Sequence, residues 1–217
     1  MGEALSEAFA HPSFWLLNAG FFVCGFHVVF YGTHLPAYVA DLGIKDVTIP
    51  WPGGGFQMNT AVLALVLVGL GNLFGTYIAG QWGKVHSKRL GLSTIYFGRA
   101  IIFLGFLSLP INATTILIFS GALGLLWLST VPLTSTLVAT FFGPNWMTML
   151  YGIVFFSHQV GSFLGVWLGG VVYDRFKSYD AMWWISVALG IFAALIHLPI
   201  REAPVARLQP KPFTAAA

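Results

Sequence analysis

Charge is what this sequence has least of. Only 8% of its 217 residues are Asp, Glu, Lys or Arg, where a soluble domain carries about 25%, and that scarcity excludes water as the main solvent of the folded chain. The ten basic residues leave a net charge of +3 and, Arg99 apart, fall between apolar runs or at their ends, which is weak support for a nucleic-acid partner. Cysteine is almost missing. Cys24 stands alone, so no intrachain disulfide can form, and its place inside an apolar run gives it a packing role. Residues 1–12 contain no basic residue and no short apolar core with a small-residue cleavage site, so a cleaved signal peptide is not expected. Carboxylates are missing from the apolar runs: Glu3, Glu7, Asp41, Asp46, Asp174, Asp180 and Glu202 all lie between them or at their ends. A proton relay through a buried acid therefore has no candidate.

What the sequence has is apolar length. Hydrophobic residues make up 57% of the chain, and runs near 14–40, 60–80, 91–109, 113–141, 148–173 and 181–199 each approach or exceed the roughly 20 residues that cross a bilayer. The fold class read from this is all-α: one polytopic bundle of six transmembrane helices over 14–199, with a segment 1–13 before it and a tail 200–217 after it. Pro50-Trp51-Pro52 and Gly53-Gly54-Gly55 break the first connection, 41–59, which reads as a flexible external loop. The tail after Pro199 reads as loose. Six crossings put Lys84, Lys88, Arg89, Arg201, Arg207 and Lys211 on one side and Lys45, Arg175 and Lys177 on the other. The positive-inside rule then places both termini in the cytoplasm of a multi-pass protein of the plasma (inner) membrane.

The chain also repeats itself. At an offset of 90 positions, Gly71-Asn72-Leu73-Phe74-Gly75-Thr76-Tyr77-Ile78-Ala79-Gly80 aligns without a gap on Gly161-Ser162-Phe163-Leu164-Gly165-Val166-Trp167-Leu168-Gly169-Gly170. The echo joins the second and fifth spans. The repeating unit is therefore three helices, and an odd number of crossings turns the second unit upside down relative to the first, an architecture of transporters. Glycines four apart also make a smooth stripe that lets helices approach closely.

The segments after these spans resemble a known family. Gly80-Gln81-Trp82-Gly83-Lys84-Val85-His86-Ser87-Lys88-Arg89 and Gly170-Val171-Val172-Tyr173-Asp174-Arg175 look like two degenerate copies of the major facilitator superfamily signature, a glycine followed by an acid and then bases. Lys84 stands where the first copy's acid belongs. His158-Gln159-Val160-Gly161-Ser162-Phe163-Leu164-Gly165, Ser178-Tyr179-Asp180 and His34-Leu35-Pro36-Ala37-Tyr38 are similar to bacterial members of the monocarboxylate-transporter type. The resemblance covers nearly the whole chain and implies the C-terminal six-helix half of a twelve-helix secondary transporter. Such a half lines one wall of a midplane cavity, so a second half or self-association is an expected partner, beside the lipid bilayer and a small-molecule substrate. Gly80, Lys84, Lys88, Arg89, Gly170, Asp174 and Arg175 are then gating or structural positions.

Polar groups inside the apolar runs are the candidates for substrate binding. Arg99 is the formal charge deepest in a span, and its guanidinium offers a planar fork of donors to a carboxylate; the competing reading has it bonding backbone carbonyls and Tyr96 one turn away. By the resemblance it lies on the ninth family helix, usually peripheral to the cavity. His27 and His34, seven residues apart with Tyr31 between them, share a helical face. His158, Gln159 and Ser162 cluster on the fifth span, and Trp127, Thr130 and Thr134 stripe the fourth, where Pro132 should kink the helix. By the resemblance these spans match the cavity-lining seventh, tenth and eleventh helices, with Asn72 added by the eighth. His34, Asn72, Arg99, Trp127, Thr130, His158 and Gln159 thus form the candidate set, for a small organic anion with a histidine available to couple a proton in symport. Each has the competing role of a helix-to-helix hydrogen bond. No enzymatic activity, cofactor or metal is expected: Ile118-Phe119-Ser120-Gly121 lacks the first glycine of an intramembrane serine protease, and the histidines do not supply two clear haem-ligating pairs. The remaining alternative is a half-transporter that acts as a membrane subunit or regulator without transport of its own.

Overall fold

The computed structural model describes residues 2–208. A short helix, α1 (Gly2–Phe9), leads into α2 (Pro12–Asp41), which begins on a proline that needs no amide partner in a first turn; the hairpin β1 (Val47–Trp51) and β2 (Gly54–Met58) follows. Then come α3 (Thr60–Val85), α4 (Lys88–Ser108), α5 (Ala113–Leu125), α6 (Thr130–Phe142), α7 (Pro144–Phe176) and α8 (Asp180–His197), and a 3-10 turn at Ala206–Leu208. Six membrane-length apolar helical stretches result, with α5 and α6 together forming the fourth over Ala113–Phe142. Polar residues set several boundaries: Asn59 caps α3 by accepting from the amide of Ala61 at 3.0 Å, and Asn112 caps α5 through Thr115 at 3.0 Å. Gly143, with φ +82°, makes the entire turn between α6 and α7, a backbone angle that side chains resist.

Two expectations are corrected. The connection 41–59 is a hairpin with Val47 opposite Met58 and Trp51 opposite Gly54. Its breakers are what a tight turn needs, because Pro52 fixes φ at the turn's first central position and Gly53 takes φ +103° at the second. The tail is packed as far as residue 208. Ile200 is fully buried, the amide of Arg201 donates to Ser13 Oγ at 3.0 Å, that of Val205 to the carbonyl of Phe141 at 2.9 Å, and Arg207 pairs with Glu7 at 3.1 Å. These bonds, with that from Ser87 Oγ to Glu202 at 2.6 Å, gather α1, the α3–α4 turn, the α6–α7 turn and the tail at one end of the bundle. Lys211 and the rest of the tail lie outside the described residues.

The two three-helix units do not fold side by side. α2 of the first unit packs on α7 of the second, α5 of the second packs on α3 of the first, and α4 lies against α8. This is the exchange that a two-fold relation between the units requires. The glycines fix it residue by residue. A Cβ at Gly71 would press on the backbone of Gly124 and Leu125, with the carbonyl of Gly121 3.0 Å away, and one at Gly75 would strike the carbonyl of Leu125; one at Gly161 would strike the carbonyl of Phe22 and one at Gly165 that of Phe26. Gly121 and Leu125 lie 99 positions after Phe22 and Phe26, so each glycine pair meets equivalent carbonyls. The relation also runs backwards, since Gly25 abuts the carbonyl of His158 and Gly124 that of Val68. The 90-residue echo in the sequence is therefore a set of backbone contacts made twice.

Candidate functional site

The fourth span breaks at 126–129, between α5 and α6. Pro132 has no amide hydrogen for the carbonyl of Leu128 four residues earlier, so the helix opens one turn before it, and the amide of Val131 takes that carbonyl in a tighter turn at 2.9 Å. The opening leaves backbone groups of 126–128 without helical partners. Asn72, on α3, accepts from the amide of Leu128 at 3.0 Å and from the hydroxyl of Thr76 at 3.1 Å. Arg99, on α4, reaches into the break from the other side. Its Nε donates to the carbonyl of Leu126 at 3.1 Å and its Nη2 to the same carbonyl at 2.6 Å, and Nη2 also donates to the carbonyl of Trp127.

Around the guanidinium lies a compact polar node. Arg99 is 1% exposed, rests over the Tyr96 ring at 5.2 Å and points Nη2 at Cys24 Sγ, 3.6 Å away. The thiol lies 3.2 Å from Thr130 Oγ1, and His158 sits beside it. Arg99 Nη1 and Thr134 Oγ1 are buried without a hydrogen-bond partner among the described residues, so the node holds a cation with an open donor. The structure thus brings Arg99, Thr130 and His158 together from α4, α6 and α7, with Cys24 of α2 between them and Trp127 contributing its carbonyl from the break. Sequence reading gave Cys24 only a packing role; its thiol is the hinge atom of the node, and nothing in a lone cysteine signals that.

The other candidates stand apart. His34 joins α2 to α7 and α8, its Nε2 3.0 Å from the carbonyl of Val166 and its Nδ1 3.2 Å from the Tyr179 hydroxyl. Asn72 spends its carbonyl oxygen on the helix break. Gln159 is exposed, with Oε1 3.1 Å from His158 Nδ1, while the His158 ring stacks on Phe155 at 5.4 Å. His27, on the same helical face as His34, holds the carbonyl of Ser186 at 2.9 Å.

At the end of the bundle where α1 meets the described part of the tail, the first signature copy is tied to that tail. Arg89 Nη1 donates to the carbonyls of Leu198 and Ile200 at 2.8 and 3.2 Å. Glu202 accepts from Ser87 Oγ at 2.6 Å and from the Arg89 amide at 2.9 Å, with Lys88 Nζ 3.9 Å away. A carboxylate thus sits at the N-terminus of α4, where the helix dipole favours one, although it comes from the tail and not from position 84. Lys84 instead donates to Gln81 at 3.0 Å. Gly80 and Gly170 have open space where a side chain would go, and Asp174 and Arg175 are exposed. Burial pushes the Glu202 carboxyl up, but the hydrogen bonds from Ser87, Arg89 and Lys88 and the Lys88 charge outweigh it and hold the group below its ordinary value. Because the folded value is lowered, this contribution is complete above the unfolded value of about 4.3 and is lost as pH falls through the folded one. Glu202→Gln should lower stability by about 1–2 kcal/mol at neutral pH, read by thermal unfolding in detergent, and its deficit should shrink in acid.

No protein-family model matches the chain. It is 24% identical over 210 residues to YcxA of Bacillus subtilis strain 168, an uncharacterized MFS-type transporter, in an alignment that covers 90% of this chain and 48% of that protein. The chain spans about half the length of that relative. With six apolar helices of membrane-spanning length among the described residues, it is a multi-pass membrane protein similar, along nearly all of its length, to half of an MFS-type transporter.

Proposed function

We propose that the chain is the C-terminal half of a major facilitator transporter that moves a small organic anion by alternating access. The observation that carries this reading is the interlocked inverted repeat, in which equivalent glycines of α3 and α7 meet equivalent carbonyls of α5 and α2; the MFS-type relative supports it. α3 and α7 are also the helices with the least of their apolar length buried, 22% and 28% against 44–67% elsewhere. Being related by the repeat, they offer two matching faces for a second six-helix half or a second copy. The open Nη1 of Arg99, with His158 in the same node and Gln159 bonded to His158, is the group we assign to the anion, and a histidine carries the coupled proton in symport. Lys84, Lys88, Arg89 and the termini face the cytoplasm of the plasma (inner) membrane in this reading.

Purified chain in proteoliposomes should take up labelled small carboxylates faster under an inward proton gradient. A monodisperse monomer that takes up no organic anion overturns autonomous transport. In that case the chain is a partner-dependent subunit, and co-reconstitution with a second six-helix half restores uptake.

A further inference from the structure

Arg99 is a buried cation with no carboxylate to balance it. The two ion pairs among the described residues, Lys88 with Glu202 and Arg207 with Glu7, lie at one end of the bundle, and the apolar runs hold no acid. The carbonyls of Leu126 and Trp127 offer the guanidinium dipoles but no charge, and its Nη1 stays open among the described residues. A formal charge taken out of water is either neutralised or paired. Arginine does not give up its proton. The balancing charge must therefore come from a neighbour that ionises.

Two neighbours can. Tyr96 turns its ring face to the guanidinium at 5.2 Å, and its hydroxyl has no hydrogen-bond partner among the described residues; a phenol ordinarily ionises at about 10 and a thiol already at about 8.5. Cys24 Sγ is 3.6 Å from Arg99 Nη2 and 3.2 Å from Thr130 Oγ1. A guanidinium only donates and a hydroxyl can donate, so the sulfur faces the donors that a thiolate accepts. The thiol proton also has a way out. Gln159 Oε1, 3.1 Å from His158 Nδ1, holds the ring hydrogen on that nitrogen and leaves Nε2 basic. His158 sits beside Cys24, and Gln159 is exposed.

No other group around the sulfur competes for this role. α4 brings Arg99 and Tyr96, α7 brings His158 and Tyr151, and α6 brings Thr130 and nothing ionisable. His27 lies one turn along α2 and holds the carbonyl of Ser186, and His197 of α8 stacks on Tyr96 at 5.1 Å.

We propose that Cys24 is the resident counter-ion of Arg99 and the site of the coupled proton. Without substrate, the thiol passes its proton through His158 to the exposed face, and the thiolate accepts from Arg99 and Thr130. An entering carboxylate takes the guanidinium in its place, and Cys24 takes one proton back as S–H. One anion and one proton enter together, so the charge of the node does not change. This rests on the anion reading of Arg99, with His158 as the histidine that relays the proton.

The chain has one cysteine, so its infrared S–H stretching band reports on Cys24 alone, and Cys24→Ser supplies the blank. Monodisperse full-length protein in detergent at neutral pH, free of organic anions, should show no S–H band. Propionate should bring the band up and take one proton per protein from a weakly buffered medium, read by a pH indicator; Cys24→Ser should take none. An S–H band in the anion-free wild type overturns the proposal. So does propionate uptake into proteoliposomes by a protein whose band stays absent when propionate is added. If the band is absent and no carboxylate is taken up or bound, the thiolate–arginine pair is upheld, and the anion reading of Arg99 is what falls.

Discussion

Gly161→Val is expected to leave almost no monodisperse protein after extraction, while Gly80→Val is recovered like wild type. A side chain at 161 must occupy the position of the Phe22 carbonyl. That oxygen belongs to the backbone of α2 and cannot rotate away, so the two helices must separate. Overpacking a tight core costs about 1–3 kcal/mol when side chains can yield, and here backbone must yield instead. The contact is one of a row along the α2–α7 seam, with Gly165 against the carbonyl of Phe26 and Gly25 against that of His158, so a shift at 161 strains the whole seam. Gly80 has open space at the same point and lies on the same kind of helix, so it controls for the change in composition. Size-exclusion profile and thermal unfolding in detergent read the result. Equal recovery of both variants would mean that the helices do not meet through their glycines.

The second large effect is at Arg99. Arg99→Met keeps much of the side chain's length but removes every donor, and it strands the carbonyls of Leu126 and Trp127 inside the bundle. A buried polar group left without its partner costs about 1–3 kcal/mol, so two of them predict a loss of several kcal/mol. The signature is local as well as global. Amide exchange at 127–131, where the helix restarts, should accelerate in the variant, whereas residues of the distant hairpin should not change. Arg99→Lys should recover part of the stability only, because an ammonium is a point charge and cannot bridge two carbonyls as a planar fork does. If Arg99→Met unfolds at the wild-type temperature, the guanidinium does not hold the break.

Much of the architecture is legible in the sequence because it rests on long patterns. Apolar length locates the six spans within a few residues, and the glycine echo marks the inverted units. The hairpin was not legible, since Pro50, Pro52 and three glycines speak against helix equally well in a loop and in a tight turn. The tail was missed for a different reason. Its order comes from Glu202, Arg201 and Val205 bonding to Ser87, Ser13 and Phe141, partners far away in the chain. At the candidate site, Arg99 and Thr130 stood out as polar residues in apolar runs. What they touch depends on the break at 126–129, whose freed carbonyls no residue type announces.

The exchange of helices between the two units has a consequence for how the protein is made. A ribosome releases α2, α3 and α4 into the membrane long before α7, and the groove that Gly161 and Gly165 will fill on α2 stays open until then. The first unit cannot finish on its own, nor can the second. Synthesis therefore passes through a stage in which three inserted helices wait, with the backbone of Phe22 and Phe26 facing whatever the bilayer or an insertion factor supplies. Nascent chains arrested before residue 144 should be sensitive to proteolysis and to chaperone depletion in a way that the completed bundle is not.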